Sequence, residues 1–179
     1  MVLLIDNYDS FSYNLFQLVG TITPNIKVVR NDEMTIDEIA QLNPSHIILS
    51  PGPGKPSDAG ICEVYGATVT YAKRLMHGKS SMCSMEPDVE IFKGLYKEKI
   101  GTNGEKEKSS IKVARYHSLS AKKETIPEEL RVIAVADDDG EIMAVKHRDY
   151  KVYGLQFHPE SILTPDGIQI LKNFLSVSK

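Results

Sequence analysis

Apolar and polar positions follow two regimes along this chain, and the change falls near Gly66. In the first, Val2 to Ile5 is a short unbroken apolar run, the pattern of a buried strand. A polar turn follows, in which Asp9 or Ser10 can cap a helix carrying Phe11, Leu15, Leu18 and Val19 on one face. Ile26 to Val29 predicts a second strand. Ile36 to Leu42 predicts a helix opened by Thr35 and ended before Pro44, and Ile47 to Ser50 a third strand. Strands alternating with helices imply a parallel sheet covered on both faces.

Beyond Gly66 the runs are strand-like with little helix between: Ala67 to Tyr71, Ile111 to Ala114, Val132 to Ala136, Ile142 to Lys146 and Val152 to Phe157. They read as antiparallel additions to the sheet. Asp137-Asp138-Asp139-Gly140 predicts a hairpin turn. No ligand series follows its carboxylates at calcium-loop spacing, so they read as a solvated turn. Gly101 to Ser110 is charged and glycine-punctuated, the composition of a mobile surface loop. Pro165-Asp166-Gly167 introduces a closing amphipathic helix through Ile168, Ile170, Leu171, Phe174 and Leu175.

With 179 residues and 19.9 kDa the chain is expected to form one domain, 1–179, around a single core. A formal net charge of -3, with Lys and Arg scattered, gives no footprint for nucleic acid. No apolar run reaches membrane-spanning length, so no membrane partner is expected. The start at Met1 lacks the basic flank of a secretory signal, and two cysteines do not make a disulfide framework; the expected setting is the cytoplasm.

The candidate chemistry begins at Gly154-Leu155-Gln156-Phe157-His158-Pro159-Glu160-Ser161. An imidazole two residues from a carboxylate, at the end of an apolar strand, suits a general base and the acid that orients it. A zinc site would need a third ligand at a recognisable spacing, and none stands nearby, so no metal is expected. Pro51-Gly52-Pro53-Gly54 follows a strand end, where open α/β sheets place ligands, and its glycines let backbone N–H groups come close to a substrate or an oxyanion. His117, in Tyr116-His117-Ser118-Leu119, reads as a packing or hydrogen-bonding residue.

Three more stretches, Leu4-Ile5-Asp6-Asn7-Tyr8-Asp9-Ser10-Phe11, Leu49 to Gly54 and Ala114 to Leu119, complete a resemblance to the class I glutamine amidotransferases. The likeness is greatest to the glutaminase subunits of anthranilate synthase and aminodeoxychorismate synthase, and it runs from Met1 to about Lys179. It implies an α/β fold: an open mixed, mainly parallel sheet flanked by helices, of flavodoxin-like type. His158 and Glu160 match the family's base and orienting acid. Gly52, Pro53 and Gly54 match the loop that lines the glutamine pocket and lends an oxyanion donor, and Ser118 and Leu119 the backbone segment that holds the amino-acid end of glutamine. No cofactor is implied. The implied partners are glutamine and a chorismate-using synthase subunit, in either the tryptophan or the folate pathway.

One piece of the family pattern is missing. A helix and an apolar central strand should lead into Gly-x-Cys-x-Gly, where the thiol stands on a sharp strand-to-helix turn. Here Asp58-Ala59-Gly60 runs straight into Ile61-Cys62-Glu63-Val64. A sheet short of one central strand and one helix is therefore expected. Cys62 has Gly60 two places before it, but Val64 replaces the second glycine and resists a strained turn, and Glu63 raises rather than lowers the thiol. Cys83, in Ser81-Met82-Cys83-Ser84, lies far from any elbow. The expectation is a family member without glutaminase activity. A non-catalytic homologue that binds the synthase, and an aberrant truncated product, are both compatible with that.

Overall fold

The computed structural model describes residues 1–52, 61–95, 99–100, 106–107 and 110–177, with backbone only at 99–100 and 106–107. The chain divides into two compact units, Met1–Gly60 with Lys179 and Ile61–Ser178.

The first unit carries three parallel strands in the order β2-β1-β3: β1 Val2–Asp6, β2 Ile26–Arg30 and β3 His46–Leu49. β1 pairs along its length with β2, from Val2 opposite Ile26 to Asp6 opposite Arg30, and with β3, from Val2 opposite His46. Its central place explains its unbroken apolar run, since Val2, Leu3 and Leu4 are all buried. Helix α1 (Ser12–Ile22) buries Leu15 and Val19. The expected cap differs in detail. Phe11 is the residue before the helix, and no side chain caps it; Asp9 accepts the N–H of Phe11 at 2.8 Å, and the buried Ser12 hydroxyl donates to Asp6 at 2.5 Å. Helix α2 (Ile36–Leu42) starts as Thr35 predicts, with a reciprocal box: Glu38 N–H donates to Thr35 Oγ1, and Thr35 N–H to the Glu38 carboxylate. Asn43, in left-handed backbone, ends it ahead of Pro44.

Among the described residues the outer edge of β3 has no strand beside it, and Ile47 and Leu49 are 44% and 58% exposed. An open edge with apolar side chains is what a sheet short of its next strand leaves behind.

The second unit is built on an antiparallel sheet in the order β10-β9-β8-β4-β7. A one-turn helix α3 (Ile61–Val64) precedes β4 (Val69–Met85). A two-residue pair, β5 (Lys99–Ile100) with β6 (Lys106–Glu107), precedes β7 (Ser110–Ala121). Apart from 106–107 and Ser110, the stretch expected as a surface loop lies outside the described residues. The remaining strands are β8 (Leu130–Ala136), β9 (Ile142–His147) and β10 (Tyr153–Leu155). The antiparallel strands expected after Gly66 are therefore present, but among the described residues they form a sheet of their own rather than additions to the parallel one; β4 runs to Met85 rather than stopping near Tyr71, and β10 is shorter than Val152 to Phe157. Helix α4 (Gly167–Ser176) closes the unit. Its Asn173 side chain donates to the carbonyls of Ile91 and Lys93, which anchors the turn carrying the buried Ile91 and Phe92. Met85, Phe92, Val113, Ile133, Met143, Phe157 and Ile170 belong to one buried cluster.

Candidate active site

His158 stands just beyond β10, and its main chain is fixed to β7 by a three-way clasp. Its N–H donates to the Ala114 carbonyl at 3.1 Å. The Thr164 hydroxyl accepts the Ala114 N–H at 2.9 Å and donates to the His158 carbonyl at 2.7 Å. The imidazole Nδ1 is 2.7 Å from Glu160 Oε1, and both side chains are largely buried. An ionised carboxylate can only accept, so Nδ1 carries the proton and Nε2 is the basic nitrogen. The Tyr116 ring meets the imidazole edge-on, with centroids 5.1 Å apart at 72°. The structure thus brings His158 and Glu160 together in direct side-chain contact.

The loop that carries the pair is shaped by Gly167. A β-carbon there would overlap the Pro159 carbonyl oxygen and lie 2.7 Å from its carbonyl carbon and 3.1 Å from its Cα. The first turn of α4 therefore seats directly on the peptide between His158 and Glu160, which only glycine permits.

Ser118 and Leu119 lie on β7, the strand that holds the His158 main chain. Leu119 pairs with Tyr71 and His117 with Met76, so β4 places the four residues 72–75 opposite the single Ser118, which has no partner in the register. Ser118 is exposed. His117 is buried; Arg115 Nε donates to its Nε2 at 3.1 Å and its Nδ1 is 3.0 Å from the Leu119 carbonyl. That bears out a hydrogen-bonding histidine.

The triple-aspartate turn joins β8 to β9 as expected, but two of its carboxylates are not simply solvated. They are tied to Arg115, whose exposure is 0%. Arg115 Nη1 donates to Ser81 Oγ at 3.0 Å and to Asp138 Oδ1 at 3.3 Å. Its Nη2 lies 2.8 Å from Asp139 Oδ2, an ion-pair contact outside hydrogen-bond geometry. Asp137, the third, accepts from the hydroxyls of Ser84 and Ser110 at 2.6 and 2.8 Å. The reason for the correction is burial: a guanidinium taken out of water needs carboxylates, and this turn supplies them.

Gly52 belongs to the first unit. A β-carbon there would come within 2.5 Å of the Asn7 carbonyl oxygen, so the loops after β1 and β3 touch through backbone. Asn7 fastens them, its N–H donating to Ser50 Oγ at 2.9 Å and its Nδ2 to the Ser50 carbonyl at 2.8 Å. Pro53 and Gly54 lie outside the described residues.

Neither cysteine is set up as a nucleophile. Cys83 sits inside the sheet on β4, opposite Ile111 and Ala136, with 0% exposure. Burial, with Asp137 nearby, pushes its thiol up to about 12. Cys62 is the second residue of α3, packed against the cluster of Ala121, Ile142 and Val145, and burial raises its thiol too. A thiolate is the reactive form, and both sites oppose it. Among the described residues no group of His, Cys, Asp or Glu is arranged to hold a metal, and no helix is long and apolar enough to cross a membrane.

An α/β scaffold with a histidine and a glutamate paired after a late strand defines the class. The chain belongs to the class I glutamine amidotransferases: the model of the family "Glutamine amidotransferase class-I" matches residues 3–64 and 60–177. More particularly, it is 41% identical over 200 residues to the aminodeoxychorismate/anthranilate synthase component 2 of Bacillus subtilis, covering 98% of this chain and 95% of that protein. It is 39% identical over 202 residues to the bifunctional protein TrpGD of Thermotoga maritima, covering 98% of this chain but only 32% of that one. A candidate GMP synthase subunit of Thermoplasma acidophilum shares the fold with a TM-score of 0.77 at 20% identity, over 97% of this chain and 91% of that one. Since 98% of 179 residues is about 175, alignments of 200 and 202 positions leave about 25 positions of the relatives without a counterpart here. The family match itself falls in two segments that overlap at 60–64.

Acid should loosen this site in two stages. Burial, then the charge of Arg115, holds the His117 imidazole below its ordinary range. Burial alone would raise Asp139, but its contact with Arg115 and the Glu141 N–H outweigh that and hold it low. Glu90, which accepts from Lys146, Lys151 and Tyr153, is lowered to about 2, chiefly by Lys146. All three take up protons more readily unfolded, so each contributes stability above its unfolded pKa and loses it as pH falls through the folded one. Melting temperature should hold down to about pH 6.5, decline as His117 resists its proton, and fall again below about pH 4.5. Melting curves between pH 8 and pH 3 check this; a flat profile from pH 7 to pH 5 would remove His117 from the account.

Proposed function

We propose that the chain, read as one amidotransferase-like domain over 1–179, is a synthase-associated subunit that does not hydrolyse glutamine. The observation that carries the reading is the assembled pair His158 and Glu160 in a chain whose only two thiols, Cys62 and Cys83, are both held in the protonated form. A base and its orienting acid generate no acyl-enzyme without a nucleophile. In this reading Gly52, Pro53, Gly54, Ser118 and Leu119 are the residues that would meet glutamine, and no cofactor takes part. The relatives' names as component 2 of anthranilate and aminodeoxychorismate synthases support a synthase subunit as the protein partner, which we read as chorismate-using, with the cytoplasm as the setting. That synthase would draw on free ammonia.

The test mixes the purified chain with the synthase subunit of the same source and follows the mixture by size-exclusion chromatography, while synthesis is assayed with ammonia and with glutamine. Co-elution at micromolar concentration with ammonia-driven product alone is the expected result. Separate elution would sink the partner role, and glutamine-driven product would overturn the inactive subunit.

A further inference from the structure

We propose that Arg115, acting through the tautomer of His117, is the positioning residue for the Ser118–Leu119 main chain. The proposal rests on the reading above for what that main chain would bind, the amino-acid end of glutamine, but its geometry stands alone.

A guanidinium has donors and no acceptor. Because Arg115 Nε donates to His117 Nε2 at 3.1 Å, that nitrogen must keep its lone pair, and the proton of the neutral ring must sit on Nδ1. The Nδ1–H then donates to the Leu119 carbonyl at 3.0 Å. Arg115 is fixed in turn by Ser81, Asp138 and Asp139, so a chain of contacts runs from the β8–β9 turn to the Leu119 peptide.

The surroundings show why such a device is needed. An ordinary ladder would orient this peptide through its neighbours, but the β4–β7 register breaks here and leaves Ser118 without a partner. Only the residues on either side, His117 and Leu119, are paired. A second polar tie stands next along the strand, where the Ser120 hydroxyl donates to Glu141, whose other oxygen accepts the Lys73 N–H at 2.8 Å. The segment proposed to face the ligand is thus held by buried side chains beside the point where strand pairing skips Ser118.

Two-bond hydrogen–nitrogen NMR on the uniformly labelled chain reads the tautomer directly. His117 is expected as the Nδ1–H form at pH 7. In Arg115→Met that signature should be lost and amide exchange at Ser118, Leu119 and Ser120 should quicken about tenfold, the equivalent of one lost hydrogen bond. Arg115→Lys, which keeps a donor and the charge, should recover the tautomer, as a merely space-filling role would not. His117→Phe keeps the ring and removes both nitrogens; it should give the same faster exchange and serves if Arg115→Met does not fold. An Nε2–H tautomer in the unaltered chain, or unchanged exchange at 118–120 in the folded variants, overturns the proposal. Titration with labelled glutamine is the separate arm: absence of shifts at 118–119 would defeat the ligand reading while the tautomer and exchange data still decide the positioning role.

Discussion

Glutamine incubated with the purified chain is expected to release glutamate no faster than it does in buffer. Hydrolysis through a thioester needs a thiolate within reach of the base, and the nucleophile and base of such a unit stand or fall together. In a protease triad, losing either one costs about 10⁶ in turnover. Here His158 and Glu160 are in contact at 2.7 Å, so in the proposed reading what is missing is the nucleophile. Cys83 is sealed within the sheet, and Cys62 occupies a helical turn rather than a strand-to-helix elbow. Cys62→Ser, Cys83→Ser and His158→Ala should therefore match the unaltered chain in a coupled glutamate assay. Turnover that Cys62→Ser abolishes would show that the sulfur reaches the pair after all.

Two single-methyl changes at glycines should move stability in opposite directions. Gly167→Ala forces a β-carbon into the Pro159 peptide, and backbone on both sides leaves no flexible side chain to yield. The cost should be at least about 2 kcal/mol, a fall of about 4 to 8 °C in melting temperature for a chain of this size. Gly20→Ala lies in α1 with nothing within 4 Å of the new carbon, and it should stabilise by about 0.5 to 1 kcal/mol. Calorimetry on the two variants checks both signs. The His158 to Glu160 loop should be disturbed only in the first, seen as changed amide shifts at those residues. Equal melting temperatures would mean that α4 is not seated on Pro159 as described.

Most of the first unit is legible in sequence because its signals are local. β1 reads as a continuous apolar run, and Thr35, Glu38 and Asn43 mark both ends of α2. The second unit is less so, and its two largest differences share one cause. The run expected to end at Ala114 continues to Ala121 because Arg115 is no terminator; Asp138 and Asp139 neutralise it from a turn that reads as solvated. Neither half makes sense without the other, and they are far apart in sequence. β4 hides differently: Ser81, Cys83 and Met85 alternate inward with period two, but small and polar residues carry the alternation in place of β-branched ones. At the site, the motif string gives His158 and Glu160 directly. Thr164 and Gly167 could not be found that way, since their roles are a bridging hydroxyl and a missing side chain.

The open edge of β3 also determines how readily the lesion can be mended. A helix followed by a strand, grafted between Gly52 and Ile61, would bring its strand back parallel to β3 by the usual right-handed crossover. About 25 residues, the length absent relative to the two relatives, suffices for one helix, one strand and their turns. Among the described residues no existing strand pairing would have to break to admit it, and Ile47 and Leu49 would gain apolar cover. The chain is therefore a natural recipient for transplanted elbows, in which foreign nucleophiles can be tried one after another.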